Sequence, residues 1–147
     1  MDFLLPPRGH NDESHNHNDI GHFTLSIDGL PVIVDAGVET YTKKTFGPQR
    51  YDIWTMQSAY PNLPTIGGVQ QLPGSAYAAR DVVYRSDDEA AELNLDIAGT
   101  YPEGVLTAWS RGICLDRDVA LTLTDEFELG DQSSGPLELN LITACQV

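Results

Sequence analysis

The sequence predicts an all-β fold built as an antiparallel β-sandwich. Three observations carry this reading. Strand-length apolar runs recur at the spacing of sandwich strands, each bounded by turn residues. No stretch keeps a helical period for longer than about two turns. Asp28-Gly29 stands between two apolar runs, and that dipeptide is a strong hairpin signal.

The elements follow in order. Residues 1–9 are a short apolar lead-in that ends at Pro6-Pro7 and Gly9. Residues 10–22 form a polar run in which Asn, Asp, Ser and Gly disfavour helix. If that run is extended, His15, His17 and Asp19 share one face and Asn16 and Asn18 the other. Residues 23–28 alternate apolar and polar, as a half-buried strand does. Residues 30–35 are the return strand, with Pro31 marking its start or a sheet edge. Val32-Ile33-Val34 lacks alternation, which predicts burial on both faces. Asp35 closes this strand, where a carboxylate serves either as a hydrogen-bond acceptor or as a ligand.

Residues 38–61 are a long connection rich in aromatics, including Tyr41, Trp54 and Tyr60, with Lys43, Lys44 and Arg50 among them. Long loops are either functional or clamped onto the scaffold. Rings beside cations suit a sugar surface, since C–H faces stack on rings and carboxylates pair with cations. Further strands are expected at 63–69 (interrupted by Gly67-Gly68), 77–84, 93–97, 105–115, 119–129 and 137–144. Asp116-Arg117-Asp118 reads as a tight turn and Asp87-Asp88-Glu89 as a solvated loop. The last nine residues read as a strand in progress, so the expectation is a piece of a larger sandwich.

Composition narrows the function classes. A length of 147 residues suits one domain with a real core. Eight basic against 22 acidic residues give a net charge of −14. That balance argues against nucleic acid and against an anionic membrane surface. No run approaches the ~18 apolar residues of a membrane span, so no membrane insertion is expected. The N-terminus lacks the basic and apolar regions of a signal peptide. Cys114 and Cys145 lie in apolar contexts, which fits buried thiols, with a disulfide as the alternative.

Three of the four histidines, His10, His15 and His17, fall within residues 10–19, and His22 follows. Such a polar segment is expected at an open edge, because each buried polar group needs a partner. Three readings of it compete. His17 with Asp35 can bind a divalent metal. His15 can move a proton or stabilise charge, since histidine titrates near neutrality. Or the run is a hydrogen-bonded corner without chemistry.

Residues 13–21 (ESHNHNDIG), 28–37 (DGLPVIVDAG) and Tyr41-Thr42 resemble the heparinase II/III-like family, in its C-terminal β-sandwich region. The likeness is closest over about residues 8–70. It implies a polysaccharide lyase that cuts uronate-containing glycans such as heparin, heparan sulfate or alginate. It implies a missing N-terminal α/α-toroid, with the active-site cleft between toroid and sandwich. Residues 1–147 would then be the sandwich domain, short of its end.

By this resemblance His15 matches the catalytic histidine. His17 and Asp35 match zinc ligands. The family's third ligand, a histidine, corresponds here to Pro61, which cannot ligate; His22, His10 or water would then complete the shell. Asn16, Tyr41, Lys43, Arg50 and Trp54 are the expected substrate contacts, and the substrate an acidic polysaccharide. The resemblance also implies a periplasmic or secreted location. Two rivals stand beside this: a non-catalytic carbohydrate-binding or interdomain module, and an independent zinc enzyme of cupin-like build. The lyase reading expects the imidazoles to face an open cleft.

Overall fold

A computed structural model of the chain describes residues 2–4 by their backbone, and residues 9–12, 17–37, 40, 42–47 and 49–144 in full. In chain order the strands are β1 (Asp2–Leu4), β2 (His10–Asn11), β3 (Thr24–Ile27), β4 (Leu30–Ile33), β5 (Pro64–Ile66) and β6 (Gly74–Ala78). They continue with β7 (Arg80–Ser86), β8 (Ala90–Asp96), β9 (Leu106–Asp116), β10 (Ala120–Leu129) and β11 (Leu137–Leu139). Only short 3-10 turns interrupt this β architecture, and the described residues contain no α-helix. All strand pairs are antiparallel.

The largest sheet has the order β10-β9-β8-β7. Its pleat sorts side chains cleanly. Leu93 and Leu95 of β8 and Trp109, Arg111, Ile113 and Leu115 of β9 are buried on one face. Their intervening neighbours, among them Glu92, Asn94, Ser110 and Cys114, line with Thr124 of β10 a shallow polar trough of about 320 Å³ on the other. The two-stranded sheet β11-β5 lies over the buried face, where Ile66 joins Leu93, Leu95, Tyr101 and Trp109 in one core, with Val69 and Leu137 packed against it. Each such side chain, fully buried, contributes about 1.5–3 kcal/mol. The smaller sheets β1-β3-β4 and β2-β6 complete the set.

The β3–β4 hairpin turns as its sequence requires. Asp28 and Gly29 have φ of 52° and 77°, both positive, as a type I′ turn demands. At Gly67 the constraint is space. A Cβ there would stand 1.7 Å from the Ser134 carbonyl oxygen, and the Gly67 N–H donates to Pro136 O at 2.7 Å.

Three expectations are corrected. Val32, Ile33 and Val34 are half-buried, not covered on both faces. Here apolar residues serve a strand clasped along its edges: β3 pairs on one side, and on the other Val34 N–H donates to Ile142 O and Ala144 N–H to Val32 O. The expected strand 137–144 divides, because the chain leaves β5 after Leu139 and then runs beside β4. The expected strand 77–84 also divides, into β6 and β7, since β6 pairs with β2 and β7 with β8. Cys114 is a half-buried free thiol; Cys145 lies outside the described residues.

Among the described residues β7 forms one edge of the large sheet, and all seven of its residues are exposed. Its register against β8 slips between Arg80 and Val83, where Asp81 adopts φ of 52°.

Candidate metal centre

The polar run is folded inward. His17, Asn18, Asp19 and His22 are all buried, His17 at 6% exposure. The expected open edge is therefore corrected for these residues, and the reason is a supply of distant partners. Asn18 N–H donates to Met56 O at 3.1 Å, and its side-chain amide donates to Gln71 O at 3.4 Å. Gln71 reads Ile20 as a neighbouring strand would: Oε1 accepts the Ile20 N–H (3.1 Å) and Nε2 donates to Ile20 O (2.8 Å). Ile20 is thereby held in the core. The segment then turns, with His22 N–H donating to Asp19 O at 3.0 Å. Gly21 takes φ of 85° in that turn.

This turn brings His17 and Asp19 beside Asp35, which follows the end of β4. One donor atom from each lies within 4.8 Å of the others. Donors bound at about 2.1 Å stand at most about 4.2 Å apart, so the group is gathered on the scale of a metal shell. One imidazole and two carboxylates are ordinary ligands for a divalent cation. Asp35 keeps 40% side-chain exposure, and this is the open side of the group. Its Oδ1 accepts the Gly37 N–H at 2.6 Å.

His22 stands behind Asp35, its Nε2 3.7 Å from Asp35 Oδ2. The Asn62 N–H donates to His22 Nδ1 at 3.2 Å. That bond puts the ring's lone pair on Nδ1 and its proton on Nε2, so the nitrogen facing Asp35 is a donor. In this arrangement His22 does not fill the third ligand position; Asp19 stands in the group instead. His10 is in β2, where its Nδ1 accepts the Asp12 N–H.

Pro61 is buried, and Asn62 after it is a junction. The Asn62 amide donates to Phe23 O (2.8 Å) and Val34 O (3.2 Å), and Oδ1 accepts the Ile142 N–H (2.7 Å). Its carbonyl accepts Arg111 Nη1–H at 2.9 Å, and the same nitrogen donates to Gly21 O at 3.1 Å. The large sheet is thus wired to both segments around His22.

The loop 42–60 is braced by 3-10 turns at Lys44–Phe46, Arg50–Asp52 and Trp54–Met56. Arg50 is half-buried and donates to Thr45 O at 3.2 Å; Lys43 is exposed. Trp54 and Tyr60 meet edge to face, with centroids 5.1 Å apart and planes at 80°. They are 44% and 41% exposed. His15, Asn16 and Tyr41 lie outside the described residues.

Residues 2–146 match the family model described as Heparinase II/III-like, C-terminal. The chain belongs to this family. No curated protein matches it. Heparinase II/III-like chains form a polysaccharide lyase family, and the match spans the described strands from β1 to β11.

Within this heparinase-like chain the structure brings His17 and Asp35 together and adds Asp19. Asp19 had a visible signal, since it lies two residues from His17. Asn62 carried none. Arg111 carried a faint one: a lone cation at the parity of Trp109, Ile113 and Leu115, opposite Asp125 of β10.

Proposed function

We propose that this chain supplies the metal-organised side of a lyase site that cuts uronate-containing glycans by β-elimination. The observation that carries the reading is the convergence of His17, Asp19 and Asp35 in a chain of this family. In the reaction a base takes the C5 proton of the uronate. The electron pair forms the C4–C5 double bond, the C4–O bond breaks, and the leaving oxygen takes up a proton. The C5 proton is weakly acidic while the adjacent carboxylate is charged, so countering that charge is the decisive electrostatic step. His15 is the residue assigned to proton transfer or to the developing enolate, a role worth about 10²–10⁴-fold.

His17, Asp19 and Asp35 would hold a divalent cation, zinc in the first instance. A bound cation supplies positive charge that orders its ligands, here the 17–22 turn against the end of β4. Lys43 and Arg50 would pair with substrate carboxylates, while Trp54, with Tyr41 and Asn16, would contact a sugar ring. A net charge of −14 opposes a polyanion. That repulsion is screened beyond about 8–10 Å, and a basic groove on an α/α-toroid domain would overcome the rest. A periplasmic or secreted location belongs to the same proposal.

The test uses the full-length protein on uronate glycans. Products absorbing in the ultraviolet as unsaturated uronates, lost in His15→Ala, support the lyase. The exposed Trp54–Tyr60 pair favours one second reading, a carbohydrate-binding module. Glycan affinity without unsaturated products, kept in His15→Ala and lost in Trp54→Ala, would replace the lyase with that module.

A further inference from the structure

The metal group leaves one buried imidazole without an assigned role. His22 is 2% exposed and sits between two groups of opposite need. On one side the Asn62 N–H donates to Nδ1; on the other, Nε2 approaches Asp35 Oδ2 at 3.7 Å. A neutral imidazole carries one proton, so a lone pair committed at Nδ1 leaves the proton at Nε2. The ring is oriented as a donor toward a carboxylate of the metal group.

The surroundings hold that orientation firmly. Gly21, just before His22, and Asn62, which caps Nδ1, both give their carbonyls to Arg111 Nη1. Arg111 is itself held by two 2.8 Å hydrogen bonds from Nε and Nη2 to Asp125. The peptides on both sides of the ring are therefore tied to the large sheet. Asp35 Oδ1 takes the Gly37 N–H, and Oδ2 faces His22 Nε2 at 3.7 Å, an approach longer than a hydrogen bond. Each oxygen has a second lone pair, which leaves the carboxylate able to ligate in a set direction.

We propose that His22 is a positioning residue for Asp35, acting through the proton that Asn62 confines to Nε2, and that it does not itself ligate the metal. Outer partners that hydrogen-bond to first ligands set ligand orientation, and their loss weakens metal binding by about 10–100-fold. The inference rests on the metal reading above and adds a role for this residue.

Two substitutions separate the halves of the ring. His22→Gln keeps an N–H near Nε2 and gives up the acceptor at Nδ1. His22→Asn keeps an acceptor near Nδ1 and gives up the donor toward Asp35. Zn²⁺ and Mn²⁺ affinities are measured by calorimetry on chelator-treated protein, beside His17→Ala. Thermal unfolding of each metal-free protein reports the fold. The expected result is His22→Gln within about threefold of the parent and His22→Asn weaker by about 10–100-fold. The visible spectrum of bound Co²⁺ is expected to be unchanged in His22→Gln. Equal losses in both variants, tight binding in His22→Asn, or an altered Co²⁺ spectrum in His22→Gln would overturn the proposal. Failure of the parent to bind any of these ions would instead remove the metal reading, and this inference with it. Binding lost in His17→Ala but unmoved by either His22 variant would leave that reading standing and sink only the inference.

Discussion

Arg111 and Asp125 face each other across β9 and β10 and share two 2.8 Å hydrogen bonds, one from Nε and one from Nη2. Arg111 is fully buried, and Asp125 also accepts Trp109 Nε1–H at 2.8 Å. Removing one partner of such a pair leaves a buried charge without its counterion. Asp125→Ala is expected to destabilise the fold by about 3–5 kcal/mol, read by chemical denaturation. An apolar replacement of both residues, Arg111→Met with Asp125→Leu, is expected to recover only part of this. The Gly21 and Asn62 carbonyls would still lack their donor.

Asp19 separates two ligand sets. If Asp19 completes the group, Asp19→Asn lowers divalent-metal affinity by at least about tenfold while the metal-free protein keeps its unfolding temperature. A parent-like affinity in this variant, with His17→Ala still inactive in binding, would assign the third position elsewhere.

Tyr101 makes alkaline stability measurable. Its hydroxyl donates to Pro64 O at 2.6 Å inside the core. Burial pushes its phenol above the usual tyrosine range, against a smaller opposing effect of Arg111. The unfolded chain therefore ionises this group first. Its contribution is present below the ordinary value of about 10 and is lost as pH rises beyond it, by at most about 1.4 kcal/mol per pH unit. Tyr101→Phe should flatten that alkaline fall. At neutral pH it should be less stable by about 1 kcal/mol, because the Pro64 carbonyl loses its donor.

Cys114 is expected to alkylate slowly at neutral pH. Burial among its neighbours raises its thiol, and the charges of Glu92 and Asp116 add to this. Thiolate is the reactive form. Glu92→Gln should therefore speed modification by iodoacetamide, by roughly twofold or more. An unchanged rate would show that access, not ionisation, limits the reaction.

Local chemistry was the part of this fold that the sequence displayed. Asp28-Gly29 announced its turn because both residues tolerate positive φ, and the parity of β8 and β9 followed from side-chain alternation. Choices of distant partner were hidden. Nothing near Ala79 signals that β6 leaves β2 as β7 joins β8, and nothing near Asn140 signals the move toward β4. The site divides in the same way. His17 and Asp35 stand out as residue types, whereas the burial of the polar run depends on Met56 O and the Gln71 amide. Those partners come from segments far along the chain, so the letters of the run alone point to an open edge.

The slip in β7 bears on how this molecule behaves in a crowd. Val82, Val83 and Tyr84 are more than 40% exposed on a strand with one partner among the described residues. A straight ladder of that kind invites another chain to zip along it and seed fibrils. The left-handed turn at Asp81 bends the rail, and Arg80, Asp81 and Arg85 place charge along it. An incoming strand finds only a short straight stretch to grip, so these apolar side chains can stay wet without becoming a template for polymerisation.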